Sequence, residues 1–412
     1  MKQLLHTPEG VRDLYHKECA QKLALTDQLH QVLHLYGYHD IQTPTFEFFD
    51  VFRREIGTIP SRELYKFFDK EGNTLVLRPD MTPQIARAAA TLFSKEDFPA
   101  RLCYIGDTFI NHSSYQGRLK ESTQLGAEFL GSDSVEADAE MLALVVDCLK
   151  QAGLERFQIT AGNVDFFQSL IEEAKIEEEA EARLRELITN RNYFGMEELL
   201  KEEKTAPKAK EAFLALPRLI GDREVLDTAR TVAPCEKAAQ AIERLCVTYD
   251  LLKTYKMQDY VSFDLSMSGI YGYYTGIIFR AYTFGSGDAI VKGGRYNHLI
   301  EKFGSPMPSI GFAVVVDDLM SALQRQKIPI PFHQENTLVV YDAQSREEAI
   351  RLAMELRRSG RNTELFRKDT ENSVEDYIRY GKNHQADSMV WLEQGQKVRM
   401  VNLITGEHKT AE

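Results

Sequence analysis

Leu23, Leu25, Leu29, Val32, Leu33 and Tyr36 recur near helical spacing and Gly37 follows, which predicts an amphipathic helix over residues 17–36. His39 to Phe49 places Ile41, Phe46 and Phe48 around Pro44 and reads as extended chain. Leu64–Phe68 and Thr74–Leu77 predict two strands joined through the turn-rich Asp69–Asn73. Thr82 to about Phe93 reads as a helix with Pro83 in its first turn, where the missing N–H costs nothing. Leu102–Ile110 and Glu121–Phe129 predict a long antiparallel hairpin. Ala137 to Ala152 is a helix ended by Gly153, and residues 155–165 form a further strand.

From about residue 166 to 256 the pattern turns helical throughout, rich in Glu, Lys, Ala and Leu, and predicts an inserted helical domain. In Val261–Met267 the apolar Val261, Phe263, Leu265 and Met267 alternate with Ser262, Asp264 and Ser266, the period of a half-buried antiparallel strand. Ile277 to about Phe284 and a segment ending at Gly293-Gly294 are further strands, and Tyr296–Phe303 reads as a helix. Ile310–Val316 is a strand feeding a helix over Asp318–Gln324. Pro329 and Pro331 mark an extended linker at 326–335. Residues 336–412 then alternate strand and helix as a small α/β domain. The expected fold class is α+β: a discontinuous core (1–165 and 257–325) with an antiparallel sheet and flanking helices, the 166–256 insertion, and the C-terminal α/β domain.

Composition excludes some classes. A hydrophobic share of 43% with 27% charged residues is that of a globular chain, with no low-complexity tract. The longest apolar stretch, Met141 to Val146, is too short to span a bilayer, and the N-terminus carries no signal-peptide core, so cytoplasmic residence is expected. Cys19, Cys103, Cys148, Cys235 and Cys246 form no C-x-x-C pair, so neither a zinc site nor a disulfide framework is indicated; no metal and no cofactor are expected. Formal net charge is −12, from 62 acidic against 50 basic residues. Polyanions are bound through clustered Lys and Arg, and no basic run is present, which argues against nucleic acid as a partner.

Seven segments, in order, carry a resemblance. They are Pro8–Tyr15 (PEGVRDLY), Gly37–Glu47 (GYHDIQTPTFE), Leu77–Thr82 (LRPDMT), Tyr104–Phe109 (YIGDTF), Gln124–Glu128 (QLGAE), Tyr271–Gly276 (YGYYTG), and GGRYNHLIEKFG with the following PSIGFAVVVDDL. Over about residues 5–325 they resemble the class II aminoacyl-tRNA synthetases, specifically the histidyl enzymes, and the resemblance implies that family's antiparallel catalytic fold. It implies a histidine pocket in which Glu128 and Tyr274 meet the two imidazole nitrogens. Asp80, Thr82 and Gln124 would take the α-ammonium, and Tyr273 would pack beside the ring. Residues 336–412 resemble an anticodon-binding domain.

Three positions depart from the family. Ile110 stands where the α-phosphate arginine belongs, Asp318 where the γ-phosphate arginine belongs, and Gly269 where an arginine acts on the activated carboxylate. Adenylation needs cationic, bidentate donors on the phosphate, and losing one such group costs about 10²–10³ in rate. A synthetase-like chain without these arginines is similar to the regulatory subunits of ATP phosphoribosyltransferase. That likeness implies a non-catalytic chain without aminoacylation activity, required by a short catalytic subunit in the first step of histidine biosynthesis. It also implies feedback by histidine as effector, and a homodimer within a hetero-oligomer, a hetero-octamer. The alternative is a non-catalytic RNA- or tRNA-sensing paralogue. His112, Arg118 and Lys120 fall in the loop of the second motif, where a lone histidine reads as solvated. Arg295 and Arg78 read as structural donors.

Overall fold

A computed structural model of the chain describes all residues except 1–5, 53–58, 113–117, 204, 268–271, 305, 333–334, 370 and 411–412, and all described side chains but that of Lys95. The chain divides into two compact units, residues 1–13 with 25–330 and residues 14–24 with 331–412.

In the first unit the strands are β1 (His39–Asp40), β2 (Phe46–Phe48), β3 (Lys66–Phe68), β4 (Thr74–Leu77), β5 (Ala100–Phe109) and β6 (Glu121–Leu130). They are followed by β7 (Phe157–Asn163), β8 (Ile220–Gly221), β9 (Val261–Asp264), β10 (Ile277–Thr283), β11 (Val291–Arg295) and β12 (Ser309–Val315). Nine of them make one sheet in the order β1-β5-β6-β12-β11-β10-β7-β9-β8, and β2-β4-β3 form a small separate sheet. In the large sheet only β1–β5 and β7–β9 pair in parallel among the described residues; the other neighbours are antiparallel. The expected hairpin is present as β5 and β6, with Leu102 opposite Glu128 and Gly106 opposite Gln124. Side chains two apart share a face of a strand, so Gln124 and Glu128 both lie on one face of β6.

The helices of this unit are residues 25–35 of α1 (His16–Leu35), with α2 (Thr82–Leu92), α3 (Val135–Gln151), α4 (Val164–Ala174), α5 (Glu178–Thr189), α6 (Tyr193–Glu202), α7 (Pro207–Ala215), α8 (Glu224–Val232), α9 (Glu236–Tyr255) and α10 (Val316–Arg325). The apolar run Met141–Val146 is explained by α3, which is buried on every side along that stretch. It starts where the Ser134 side chain accepts from the Ala137 N–H at 3.2 Å, satisfying a donor that the helix itself cannot. Leu25, Leu29 and Leu33 of α1, Leu125 and Ala127 of β6, and Phe312 and Val314 of β12 join α3 in one core. Leu184, Met196, Phe213 and Leu245 of the helical insertion belong to that same core.

Three readings change. The strand expected over 261–267 ends at Asp264, Val261–Phe263 pair in parallel with β7, and the polar side is not open to solvent. Arg191 of the insertion donates to Asp264 at 2.8 Å and so covers the polar side. The insertion also carries a two-residue strand, β8, that extends the sheet beside β9. Tyr296–Phe303 is helical only at Ile300–Phe303, as a single 3₁₀ turn. The apolar positions there pack on α2 without needing a full helix, since Leu299 and Ile300 share a cluster with Ile85 and Ala89.

The second unit holds β13 (Asn336–Tyr341), α11 (Arg346–Arg358), β14 (Asn362–Arg367), α12 (Val374–Asn383), β15 (Ser388–Leu392), β16 (Arg399–Asn402) and β17 (His408–Thr410). Its sheet runs β14-β13-β15-β16-β17, with β13 parallel to both neighbours. Trp391 and Tyr377 pack edge to face at 5.7 Å in its core.

Candidate functional site

A cavity of about 860 Å³ in the first unit is lined by Ser122 and Gln124 of β6, Lys292 of β11, Gly311 to Ala313 of β12 and the segment at the start of α2. Asp80, Thr82, Gln124, Tyr273 and Tyr274 all line it, so five of the six positions expected to hold histidine converge. Asp80 stands just before α2, where its carboxylate accepts from the Met81 N–H at 2.8 Å and from the Tyr273 hydroxyl at 3.4 Å. The Tyr273 and Tyr274 rings pack at 4.8 Å, and Tyr296 meets Tyr273 edge to face at 6.0 Å. Gly294 matters to this wall, because a Cβ there would sit 3.0 Å from the Tyr274 ring.

The sixth position, Glu128, is 0% exposed behind that wall. The Thr82 hydroxyl donates to one of its oxygens at 2.9 Å and the Tyr296 hydroxyl to the other at 2.5 Å. Gly311 makes room for this carboxyl, since a Cβ would fall 1.6 Å from Glu128 Oε2. Burial pushes the Glu128 pKa up to about 8, with the two hydrogen bonds pulling the other way. Tyr296 was not foreseen as a site residue. Its sequence signal is its place in the segment GGRYNHLIEKFG, two residues beyond Gly294. Gln124 contributes a buried Oε1 with no hydrogen-bond partner, an acceptor left open to a donor in the cavity.

Ile110 and Asp318, two of the three positions where the resemblance expects an arginine, line the same cavity; Gly269 lies outside the described residues. Asp317, beside Asp318, accepts from the Thr123 N–H at 2.8 Å and so anchors the start of α10 to β6. Arg12, Arg118, Lys292 and Arg325 also line the cavity, and close partners hold the last two. Lys292 donates to Asp288 at 3.0 Å, and Arg325 to the Gly285 carbonyl at 2.5 Å. Asp288 keeps a low pKa against the effect of its burial, because Lys292 lies beside it. His112, expected to be solvated, is instead partly buried and lines the cavity. Burial, with Arg118 nearby, holds its pKa below the ordinary value, so it adds no charge at neutral pH.

Arg295 and Arg78 are indeed structural donors. Arg295 is 1% exposed and donates to Asp138 at 2.6 and 2.9 Å. Arg78 donates to the backbone carbonyls of Asp107 at 2.7 Å and Thr43 at 2.9 Å.

Comparison with known proteins adds the family. The histidyl-tRNA synthetase family model matches residues 10–319. The chain is 40% identical over 361 residues, 88% of its own length and 86% of the relative's, to an ATP phosphoribosyltransferase regulatory subunit of Acetivibrio thermocellus. The chain belongs to the family of ATP phosphoribosyltransferase regulatory subunits. A second relative of that name, from Clostridium novyi, is 33% identical over 97% of this chain and 94% of its own. A crystal structure described as an ATP phosphoribosyltransferase regulatory subunit/histidyl-tRNA synthetase, from Bacillus halodurans, superposes with a TM-score of 0.84 at 31% identity, covering 95% of this chain and 99% of that one. A histidyl-tRNA synthetase from Nostoc has a TM-score of 0.81 at 20% identity, covering 98% of this chain and 96% of that one, which shows the shared fold. Both members of the comparison therefore carry the class II synthetase-like architecture expected from the motifs. The regulatory-subunit relatives support a non-catalytic role within an enzyme complex, and they do not favour the RNA-sensing alternative. Among the described residues no helix is long and apolar enough to cross a membrane.

Proposed function

We propose that this chain is the regulatory subunit of a two-component ATP phosphoribosyltransferase, required by a short catalytic subunit and sensitive to histidine through the synthetase-like cavity. One observation carries the reading: the cavity keeps acceptors and aromatic walls suited to an amino acid, while Ile110 and Asp318, where the resemblance expects phosphate-binding arginines, line it instead. Asp80 and the partnerless Gln124 Oε1 offer acceptors to an α-ammonium. Tyr273, Tyr274 and Tyr296 form an aromatic wall against which an imidazole packs. Glu128 reaches such a ring when Thr82 or Tyr296 gives up its bond, so ligand and wall are coupled through one carboxyl.

Transfer of the phosphoribosyl group belongs to the partner in this reading, and the present chain aminoacylates nothing. Histidine acts by binding two quaternary states unequally, and coupling energies of this kind are about 1–3 kcal/mol. The homodimer lies within a hetero-oligomer, which we take as a hetero-octamer acting in the cytoplasm.

Size-exclusion chromatography with light scattering tests the assembly. Mixed with a short-form catalytic subunit, the chain is expected to co-elute with it and to raise its phosphoribosyl transfer from background to sustained turnover. Separate elution with no gain of activity would remove the regulatory assignment for this chain.

A further inference from the structure

At the opposite end of the sheet from the helical insertion, four side chains with metal-ligating atoms meet at the edge strand. His30 and His34 are one turn apart on α1, and residues at this spacing share a helix face. Asp40 of β1 pairs in parallel register with Cys103 of β5, which brings their side chains to one side of the sheet. The contacts are close. His30 Nε2 lies 2.5 Å from Asp40 Oδ1 and His34 Nε2 lies 3.2 Å from Asp40 Oδ2. Cys103 Sγ lies 3.4 Å from Asp40 Oδ1 and 3.8 Å from His30 Nε2. All four ligand atoms fall within 4.8 Å of one another.

We propose that His30, His34, Asp40 and Cys103 bind a divalent transition-metal ion, zinc by its chemistry, and so tie the C-terminal half of α1 to the edge of the large sheet. Two imidazoles, a thiolate and a carboxylate make the mixed N/S/O set that suits zinc in a tetrahedral site. Bonds of about 2.0–2.3 Å place tetrahedral ligand atoms roughly 3.2–3.7 Å apart; the contacts at 3.2, 3.4 and 3.8 Å are close to this, and an ion would open the 2.5 Å His30–Asp40 contact. The ion has a route in, because the Asp40 and His34 side chains are 62% and 42% exposed. It also has a closed back, because Cys103 is 0% exposed. A metal-free network would hold Asp40 between two histidines with the Cys103 thiol donating to it at 3.4 Å; a metal site differs in that the thiol ionises and ligates, which is what a cobalt probe reads.

The sequence hid this site because its ligands share no short motif. Cys103 is 63 residues from Asp40 and 73 from His30. Lacking a C-x-x-C pair, the chain is read as metal-free until the fold joins α1, β1 and β5.

Cobalt(II), which takes zinc sites and reports thiolate ligation as a near-ultraviolet charge-transfer band, is the probe. Titrated into the full chain after chelator treatment, it is expected to bind once per chain with that band and tetrahedral d–d bands, and to be displaced by zinc. Cys103→Ser abolishes the charge-transfer band while Cys235→Ser keeps it. Because Cys103 is buried and its replacement could disturb folding, His34→Ala on the surface is the second variant. It is expected to weaken cobalt binding at least about 100-fold, as ligand loss exceeds the 10–100-fold of supporting groups, with an unchanged circular dichroism spectrum. No bound cobalt, a band that survives Cys103→Ser, or unaltered binding by His34→Ala would each overturn the site.

Discussion

Asp138→Ala is expected to lower the free energy of unfolding by about 3–5 kcal/mol, the range for removing one partner of a buried ion pair. Asp138 is 0% exposed on α3, and it binds two guanidinium groups at once. One oxygen takes Arg295 at the end of β11, at 2.6 Å, and the other takes Arg244 of α9, also at 2.6 Å. Without the carboxylate, the Arg295 charge stays in the interior with the Ser132 and Ser134 carbonyls, Asn297 and the more exposed Asp133 beside it among the described residues. Isolated burial of a charge is what makes the loss large; the pair itself adds little net stability. The double variant Asp138→Leu with Arg295→Met is therefore expected to recover most of the loss. Denaturant unfolding at equilibrium measures both. A loss below about 1 kcal/mol, the value of an exposed pair, would mean that water reaches the site. Because Arg244 belongs to the helical insertion, the same variant loosens the insertion from the core it shares with α3.

Glu128→Gln is expected to stabilise the chain, and increasingly so as pH rises. The folded chain raises this carboxyl from 4.5 to about 8, mainly by burial. Between those values the folded state holds a proton that the unfolded state has released, so the native chain loses stability as pH rises through the window. The penalty is near zero below the unfolded pKa and complete above about 8. At 1.36 kcal/mol per pKa unit the full effect is roughly 3–5 kcal/mol. Glutamine carries no charge to desolvate, yet its amide still accepts from Thr82 and can donate to the Tyr296 oxygen. The difference in unfolding free energy between variant and parent should be small near pH 5 and several kcal/mol at pH 8.5. A difference that does not change with pH would place the native carboxyl near its ordinary value. That outcome would mean that solvent enters behind Tyr296.

Much of this architecture could be read from residue spacing alone. β5 of the β5–β6 hairpin is legible from Tyr104, Ile105, Thr108 and Phe109, whereas β6 holds only Thr123 and Phe129 of the strand-forming types. Helix α3 showed itself as an apolar run too short for a membrane, which a helix buried on all sides requires. Alternation misled at 261–267. Period two reports that the two faces differ, and Asp264 lies on the polar face, but that face is covered by Arg191 from 73 residues away. Tyr296–Phe303 misled for a related reason, since an apolar cluster over α2 needs positions and not a continuous helix. At the site, motif order led to the five residues that line the cavity. It could not give the depth of Glu128 or its bond to Tyr296, 168 residues apart, because burial is a property of the assembled sheet.

The proposal that this chain forms no aminoacyl-adenylate is the point on which everything else turns, and histidine-dependent ATP–pyrophosphate exchange by the purified chain measures it most directly. With Ile110 and Asp318 lining the cavity where the resemblance expects arginines, no exchange above the protein-free background is expected at any histidine concentration. Sustained exchange that rises with histidine and saturates would contradict it.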